Sequence, residues 1–584
     1  MSAVAAAPGA RSRGRLAFAG AAVMLAAADT YVVVLALPAI IGDIGISLGH
    51  LEQATPIISG FLLGYVAFLP LLGRLSDILG RGPVLAGCLL AFAAGSLVTA
   101  SAHDLAVTVV GRTLQGAGGG GLVPVTLALV ADGWIEQRRG VPLGIVGGVQ
   151  ELGAVLGPLY GAAIISVSSW RLIFWVNVPF ALLVGVGFAL MHRPRAEGSR
   201  LDTVGLLLGC LTSLCAALAI AAPPLLTNSD LWGLLYAPLW GTQSISEPLA
   251  LAALLLAAMF VTWEIWAGRN RRVLLPLRRL PELWTTVDLP GALLLAAVLG
   301  CIVITFASVD PSRELLSPLA SALLPLAAVA LFVFVIRERR HRAPLIPLME
   351  LRPRAAWGAL LTNLPLGAAL IAALVDVPIL ARATAYPDSQ LAAALVLLRF
   401  LVAVPVGAVI GGFACSRLGY RLLTAAGMVL AAVMFAIMAT WSDGSIGAGL
   451  RLSDAVLAAC GLGFGLAIAP VNSAILGAVD SAIHGIAAAL VVVARMMGML
   501  VGVSLLTVIG LHSFYIVAAR LPAPSALCPA SPLDCPAYNT AATGAVLSEL
   551  HAVFWGAAVC SAIAALVAAA TLQRTLRPVS GETP

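Results

Sequence analysis

Sixteen apolar runs, most of them close to 20 residues long, follow one another through this chain with charged or turn-forming breaks between them. Six end by residue 191, four fall between 203 and 336, and six lie between 355 and 572. A hydrocarbon core of roughly 30 Å is crossed by about 20 residues of helix. Within that core the backbone must satisfy its own hydrogen bonds, which a helix does inside one segment. The expected fold is therefore an all-α polytopic membrane protein of sixteen spans, with fourteen as the alternative count. Only 10% of the 584 residues are charged, against about 25% in soluble domains, which excludes a soluble enzyme.

All 33 basic residues are arginine. No lysine remains to reach the phosphates of a Walker A loop or to form a Schiff base, so ATP-driven transport by this chain alone is excluded, as are retinal and pyridoxal. No cofactor is expected. The seven histidines offer no H-x-x-x-H pair, and no metal site is expected. With the spans numbered in order, 25 arginines fall on one side, five on the other and three within spans. Positive residues accumulate on the cytoplasmic side, so both termini are expected in the cytoplasm. The net charge of +6 follows from this topology and carries no nucleic-acid signal.

Two repeats organise the chain. Gly73-Arg-Leu-Ser-Asp77-Ile-Leu-Gly80-Arg81 after span 2 recurs 339 residues later as Gly412-Phe-Ala-Cys-Ser416-Arg-Leu-Gly419-Tyr420 after span 12. Repeats of this kind relate transporter halves that move about a central site. Between them, Leu-Asp202-Thr-Val-Gly205, a partner span and Arg271 to Leu277 resemble Val-Asp288-Leu-Pro-Gly291, a partner span and Arg342 to Leu348. The predicted organisation is a six-helix bundle over 1–200, a four-helix linker made of a duplicated hairpin over 201–350, and a second six-helix bundle over 351–584.

The loop Gly73 to Arg81 resembles the major facilitator superfamily signature G-x-L-x-D-x-x-G-R, with Gly73, Asp77, Gly80 and Arg81 among its filled positions. The resemblance implies a cytoplasmic clamp between helices. Asp29-Thr30 through Leu37-Pro38, Arg112-Thr-Leu-Gln115-Gly116-Ala-Gly118 and Trp170-Arg171 through Asn177-Val-Pro179 extend it. Gly153, Gly157, Pro158 and Gly161 match the antiporter motif G-x-x-x-G-P-x-x-G. The whole set is similar to the drug:proton antiporter branch. Gln150-Glu151-Leu-Gly153, Leu374-Val-Asp376-Val and Gly485 through Arg495 to Gly502 are similar to the mycobacterial exporters that move triacylglycerides and drugs with a periplasmic lipoprotein partner. Two features depart from those exporters, the doubled linker hairpin and Ser416 in place of a second clamp aspartate. Gly116 to Gly121 also fits a dinucleotide pattern, yet it lies within a span, where glycine serves close helix packing.

Ionisable groups inside a span usually line a pathway. Asp29, Glu151 and Asp376 are the carboxylates placed clearly inside spans, and spans 7 to 10 are expected to carry no mid-span charge. Arg112, Arg399 and Arg495 are the arginines within spans. Glu151 is expected to pair with Arg495 across the halves, with Arg399 as the competing partner, and Asp29 to carry the proton with Arg112 tuning it. Together these readings describe a monomeric, proton-coupled exporter of apolar lipid. A general multidrug:proton antiporter is the alternative, and a non-transporting membrane enzyme or lipid-binding protein a minor one. Span 15, unbroken from 485 to about 519, is expected to project beyond the membrane, giving a periplasmic hairpin extension near 511–552. A bridge between Cys528 and Cys535 is expected to tie its Pro-rich tip.

Overall fold

Each of these apolar runs forms a helix in the computed structural model. It describes residues 10–44, 55–134, 139–191, 202–221, 224–229, 232–237, 239, 247–267, 288–307, 319–341, 344–346, 349–387, 389–447, 451–522 and 536–572, with no strand among them. In order these are α1 (Ala10–Asp43), α2 (Thr55–Leu79), α3 (Arg81–Ala100), α4 (Leu105–Gly133), α5 (Gly140–Val167), α6 (Arg171–Met191) and α7 (Thr203–Ala221). There follow α8 (Pro248–Ala267), α9 (Leu289–Ala307), α10 (Ala320–Arg340) and α11 (Arg354–Ala383). The run Gln390–Met438 breaks at Gly419 (φ 77°, ψ 161°) into α12 and α13. Last come α14 (Leu452–Ala478), α15 (His484–Ala518) and α16 (Pro536–Thr571). Among the described residues, length and composition alone qualify thirteen stretches to cross a membrane, while α1, α7 and α9 hold shorter apolar windows.

Local chemistry sets several boundaries. Asp104 caps α4 by accepting the Val107 N–H at 2.8 Å, and Ser389 caps α12 through the Ala392 N–H at 3.2 Å, each satisfying one donor that a helix start leaves open. Gly80, at φ 94°, turns α2 into α3. Its partner in the long-range repeat, Gly419, takes the same left-handed region, which a side chain would disfavour.

Helices α1 to α6 pack among themselves, with α1 on α5, α4 on both α2 and α3, and α6 on α3. Among the later helices α11 packs on α15 and α16, and the α12–α13 run on α14 and α16. The two groups meet where α2 and α4 touch α15 and where α5 touches α12 and α14. A Cβ on Gly73 would stand 2.6 Å from the Gly485 carbonyl oxygen, and one on Gly412 2.4 Å from that of Gly140. Repeat partners thus make corresponding backbone contacts on the two seams.

The remaining helices form two hairpins, α7 with α8 lying on α3, and α9 with α10 lying on α2 and reaching α15. Leu254, Leu255 and Trp266 of α8, and Leu326, Val329 and Phe332 of α10, stand exposed, a surface suited to acyl chains. Spans 7 to 10 are expected to carry no mid-span charge, and Glu264, wholly buried, lies in the last turn of α8 rather than at its middle. A Cβ on Gly205 would lie 2.2 Å from Asp202 Oδ2 and 2.5 Å from Glu264 Oε1, and one on Gly291 2.4 Å from Asp288 Oδ2 and 3.1 Å from Glu338 Oε1. Asp202 accepts from the Gly205 N–H and from Trp263 Nε1, both at 2.8 Å. Asp288 accepts from the Gly291 N–H at 3.0 Å and from Arg337 Nη2 at 2.7 Å. The duplication thus extends to side-chain geometry, with an indole where the second copy has a guanidinium. The repeated segments Arg271 to Leu277, Arg342 and Pro347 lie outside the described residues.

Helix α16 begins at Pro536, thirteen residues before the apolar run suggests. Tyr538, Asn539, Thr540 and Gly544 lower the hydropathy there, but the segment belongs to one helix whose Ser548 hydroxyl donates to the Ser513 carbonyl of α15 at 3.4 Å. At 35 residues, α15 is about 52 Å long at 1.5 Å per residue, well over a hydrocarbon core. Cys528 and Cys535 lie outside the described residues.

Close helix contact predicts a specific sensitivity. A Cβ on Gly116 of α4 would stand 2.1 Å from the Phe61 carbonyl oxygen of α2, backbone that has no rotamer with which to retreat. Gly116→Val should cost about 1–3 kcal/mol of stability, read as a lower midpoint of heat-induced aggregation in detergent. An unchanged midpoint would show that α2 and α4 are not held this closely.

Candidate functional site

Helix α1 brings Asp29 into a fully buried position among α1, α3, α4 and α6. Arg112 Nη1 donates to its Oδ2 at 2.6 Å, while Gln115 Nε2 at 2.8 Å and Asn177 Nδ2 at 2.7 Å donate to Oδ1. Gln115 also donates to Ser96 Oγ at 2.8 Å. The Arg112 guanidinium lies 4.2 Å from the Phe61 ring centroid and 5.6 Å from that of Phe174, faces that attract a cation. Asp29 and Arg112 are therefore brought together as expected. Sequence reasoning quoted Gln115 and Asn177 only as motif letters and missed Ser96.

The second buried charge pair joins the two groups of helices. Arg495 Nη1 of α15 donates to Glu151 Oε1 of α5 at 3.2 Å, with both residues 5% exposed. Thr30, Tyr65, Gln150 and Met499 line the same central cavity. Helix α5 is set in place by its small residues. A Cβ on Gly153 would stand 2.5 Å from the Met24 carbonyl oxygen, one on Gly157 2.3 Å from that of Ala28, and one on Gly161 2.5 Å from Val32 Cγ2. That spacing draws α5 onto α1 and aims Glu151, two residues before Gly153, toward α15. Pro158 lies in the same helix.

Arg399 is not brought to this pair. Its Nε lies 3.0 Å from Asp454 Oδ1 at the start of α14, so the structure leaves Arg495 as the partner of Glu151. Asp376 is 8% exposed on α11 and forms no ion pair among the described residues. Glu549 of α16 is the charged group acting on it, which puts two carboxylates rather than a carboxylate and a cation on that side of the second group.

The signature turn closes one end of the molecule. Asp77 accepts from the backbone N–H groups of Gly485 at 2.8 Å and Ile486 at 3.1 Å, at the positive start of α15. Arg81 donates to Asp77, to Ser76 Oγ at 2.8 Å and to Asp132 Oδ2 at 2.9 Å. Three residues that sequence reasoning passed over complete the arrangement. His484 places Nδ1 2.9 Å from Asp132 Oδ1 and Nε2 3.0 Å from the Leu476 carbonyl oxygen, which also accepts from Arg139 Nη1 at 3.2 Å. No local pattern announces the contacts that join them across the halves, which span 352 positions between Asp132 and His484 and 337 between Arg139 and Leu476. At the opposite end Asp43 accepts from Arg171 and, at 3.1 Å, from Trp170 Nε1. Burial pushes its carboxyl up, but these hydrogen bonds and the nearby guanidinium outweigh it and hold it below the usual carboxylate range.

A buried pair broken on one side leaves an uncompensated charge. Arg112→Met should cost about 3–5 kcal/mol, and adding Asp29→Leu should restore part of it, both read from thermal midpoints of the purified protein. A single substitution that leaves the midpoint in place would mean that Asp29 is not held as an ion in this network.

The profile of the Major Facilitator Superfamily matches residues 19–338. A triacylglyceride transporter of Mycolicibacterium hassiacum is 37% identical over 520 residues, covering 87% of this chain and 82% of that protein. One of Mycobacterium tuberculosis (strain H37Rv) is 36% identical over 551 residues, covering 92% and 89%. Among solved structures the proton:xylose symporter of the same superfamily aligns over 96% of this chain and 95% of its own at a TM-score of 0.52 and 12% identity, a likeness of fold.

Proposed function

Because the chain belongs to the major facilitator superfamily, whose members are multi-pass, non-enzymatic secondary transporters, we propose that it is a proton-coupled exporter carrying apolar, triacylglyceride-like lipid from a bacterial inner membrane toward the periplasm. The observation that carries this reading is the Glu151–Arg495 pair, buried where it lines a cavity between the two halves. Residues 1–200 and 351–584 are the two units that rock about that cavity, and 201–350 is a linker that covers their flank.

In this reading both termini are cytoplasmic and the Asp77–Arg81 end faces the cytoplasm, so the halves are shut on the cytoplasmic side. The Glu151–Arg495 pair joins them in this state, and opening to the cytoplasm requires it to part. A carboxylate that alternates between an arginine and a protonated, unpaired state binds and releases a proton. Arginine stays charged and acts as the counter-ion. Asp29, sealed from the cavity with Arg112, carries the second proton-linked change. The surplus length of α15 and α16 carries lipid away from the outer leaflet, where a periplasmic lipoprotein receives it. The relatives' names support the cargo class.

The test is transfer of a fluorescent acylglycerol out of proteoliposomes under an imposed pH gradient. The native protein should move it, while Glu151→Gln and Arg495→Met should lower the rate at least tenfold with expression and monodispersity retained. Asp29→Asn should uncouple transfer from the gradient. Normal lipid transfer by all three variants would sink the coupling scheme, and transport of cationic dyes without lipid would establish the drug antiporter instead.

A second measurement addresses the extension. Removing matched helical turns from the α15 and α16 ends, beyond about residue 511, should leave folding intact and lower lipid transfer to the lipoprotein. Full transfer by the shortened protein would remove any role for that projection.

A further inference from the structure

Two polar side chains beside the central charge pair are left without a partner. Tyr65 of α2 and Gln150 of α5 are 4% and 9% exposed and line the cavity of Glu151 and Arg495. Among the described residues neither the phenol nor the amide makes a hydrogen bond. A buried donor left unmade is costly, so it calls for a physical reason, and the coupling scheme uses neither side chain. We propose that Tyr65 and Gln150 form a subsite for an ester carbonyl of a glycerolipid, which accepts from the phenol O–H and from the amide Nε2–H.

Both donors are held in place by packing. A Cβ on Gly120 of α4 would stand 2.3 Å from the Tyr65 carbonyl oxygen, so the Tyr65 backbone is fixed against α4. Its ring lies 5.9 Å from that of Phe61, and Glu151 and Arg495 are the charges that act on its hydroxyl. Gln150 directly precedes Glu151 on α5, the helix that Gly153 and Gly157 draw onto α1. Thr30, which lines the same cavity, already donates to the Ala26 carbonyl at 2.8 Å. The neutral donors still unspent are therefore those of Tyr65 and Gln150.

Neutral donors suit a neutral acceptor. Glu151 and Arg495 cancel, and no further ionised side chain lines the cavity among the described residues. A cation therefore meets no net charge, and a phosphate meets an arginine already engaged. The second group of helices contributes Leu370, Met496 and Met499 to the lining, an apolar wall that methionine lets adapt to alkyl chains of varied shape. An ester carries a carbonyl acceptor directly on an apolar chain, which matches donors set beside such a wall. The free room is about 20 Å³, enough for one water-sized group, so in this conformation the cavity admits a carbonyl and not a whole lipid. The inference rests on the export reading for its cargo class. Both donors belong to the first group, so the ester end stays with that group as the halves part.

Nanodiscs of dialkyl ether phosphatidylcholine contain no ester, so an added ester is read against a clean background. With the full chain in such discs and no pH gradient, a triacylglycerol should be retained over the trialkyl ether of the same chain length by about tenfold, the order expected for one buried hydrogen bond lost. Tyr65→Phe and Gln150→Leu should each bring that ratio toward one. An isotope-labelled ester carbonyl should absorb at lower frequency on the native protein than on either variant. A ratio near one in the native protein means that water rather than cargo satisfies the two groups, and it overturns the subsite, as does a ratio that both variants keep. The native competition needs no variant, so misfolding of either leaves the test intact. A preference shown by diacyl phosphatidylcholine in place of the triacylglycerol supports the subsite and assigns it to membrane phospholipid. Gradient-driven lipid export without an ester preference removes the subsite and keeps the export reading, whereas an ester preference without export does the reverse.

Discussion

An ionised side chain persists inside a hydrocarbon slab only where the chain supplies its counter-charge and its hydrogen bonds. Much of what is distinctive in this structure follows from that constraint. Asp29 is satisfied by three donors from α4 and α6, and its arginine lies on aromatic faces. Such a network is closed on itself and fixes the first group of helices. The Glu151 to Arg495 contact is of another kind, a single longer bond between groups of helices that lines a cavity.

Backbone proximity makes those pairs attainable. Carbonyl oxygens stand within 3 Å of where a Cβ would lie at Gly73, Gly116, Gly153, Gly157 and Gly412. At such separations dispersion between helices replaces the hydrophobic effect, which offers little between surfaces already in lipid. The same closeness lets short side chains such as Asp77 reach across a seam to the N–H groups of α15. Small residues and charges therefore act as one device, the first setting the distance and the second the orientation.

The doubled hairpin obeys both rules. Each copy places an aspartate and a buried glutamate beside a glycine, and the two copies differ in what answers the aspartate, Trp263 in the first and Arg337 in the second. The second hairpin lies on α2 and reaches α15, so it touches both groups of helices where they meet.

By itself the amino-acid sequence determined that the chain is helical and membrane-spanning, where most helices begin and end, the resemblance carried by Gly73 to Arg81, and the pairing of Asp29 with Arg112. These are local matters, settled by hydropathy over some 20 residues and by motif letters at fixed spacing. It did not reveal that Glu264 is buried, because burial near the end of a span depends on the neighbouring helix and not on the mean hydropathy of its own run. Nor did it reveal the early start of α16, whose first thirteen residues are helical through contact with α15 rather than through apolarity. The choice of Asp454 for Arg399, of Arg495 for Glu151, and the meeting of His484 with Asp132 across 352 positions were decided only in three dimensions. Which charges meet depends on the rotation and depth of packed helices, and no periodicity within a single helix carries that information.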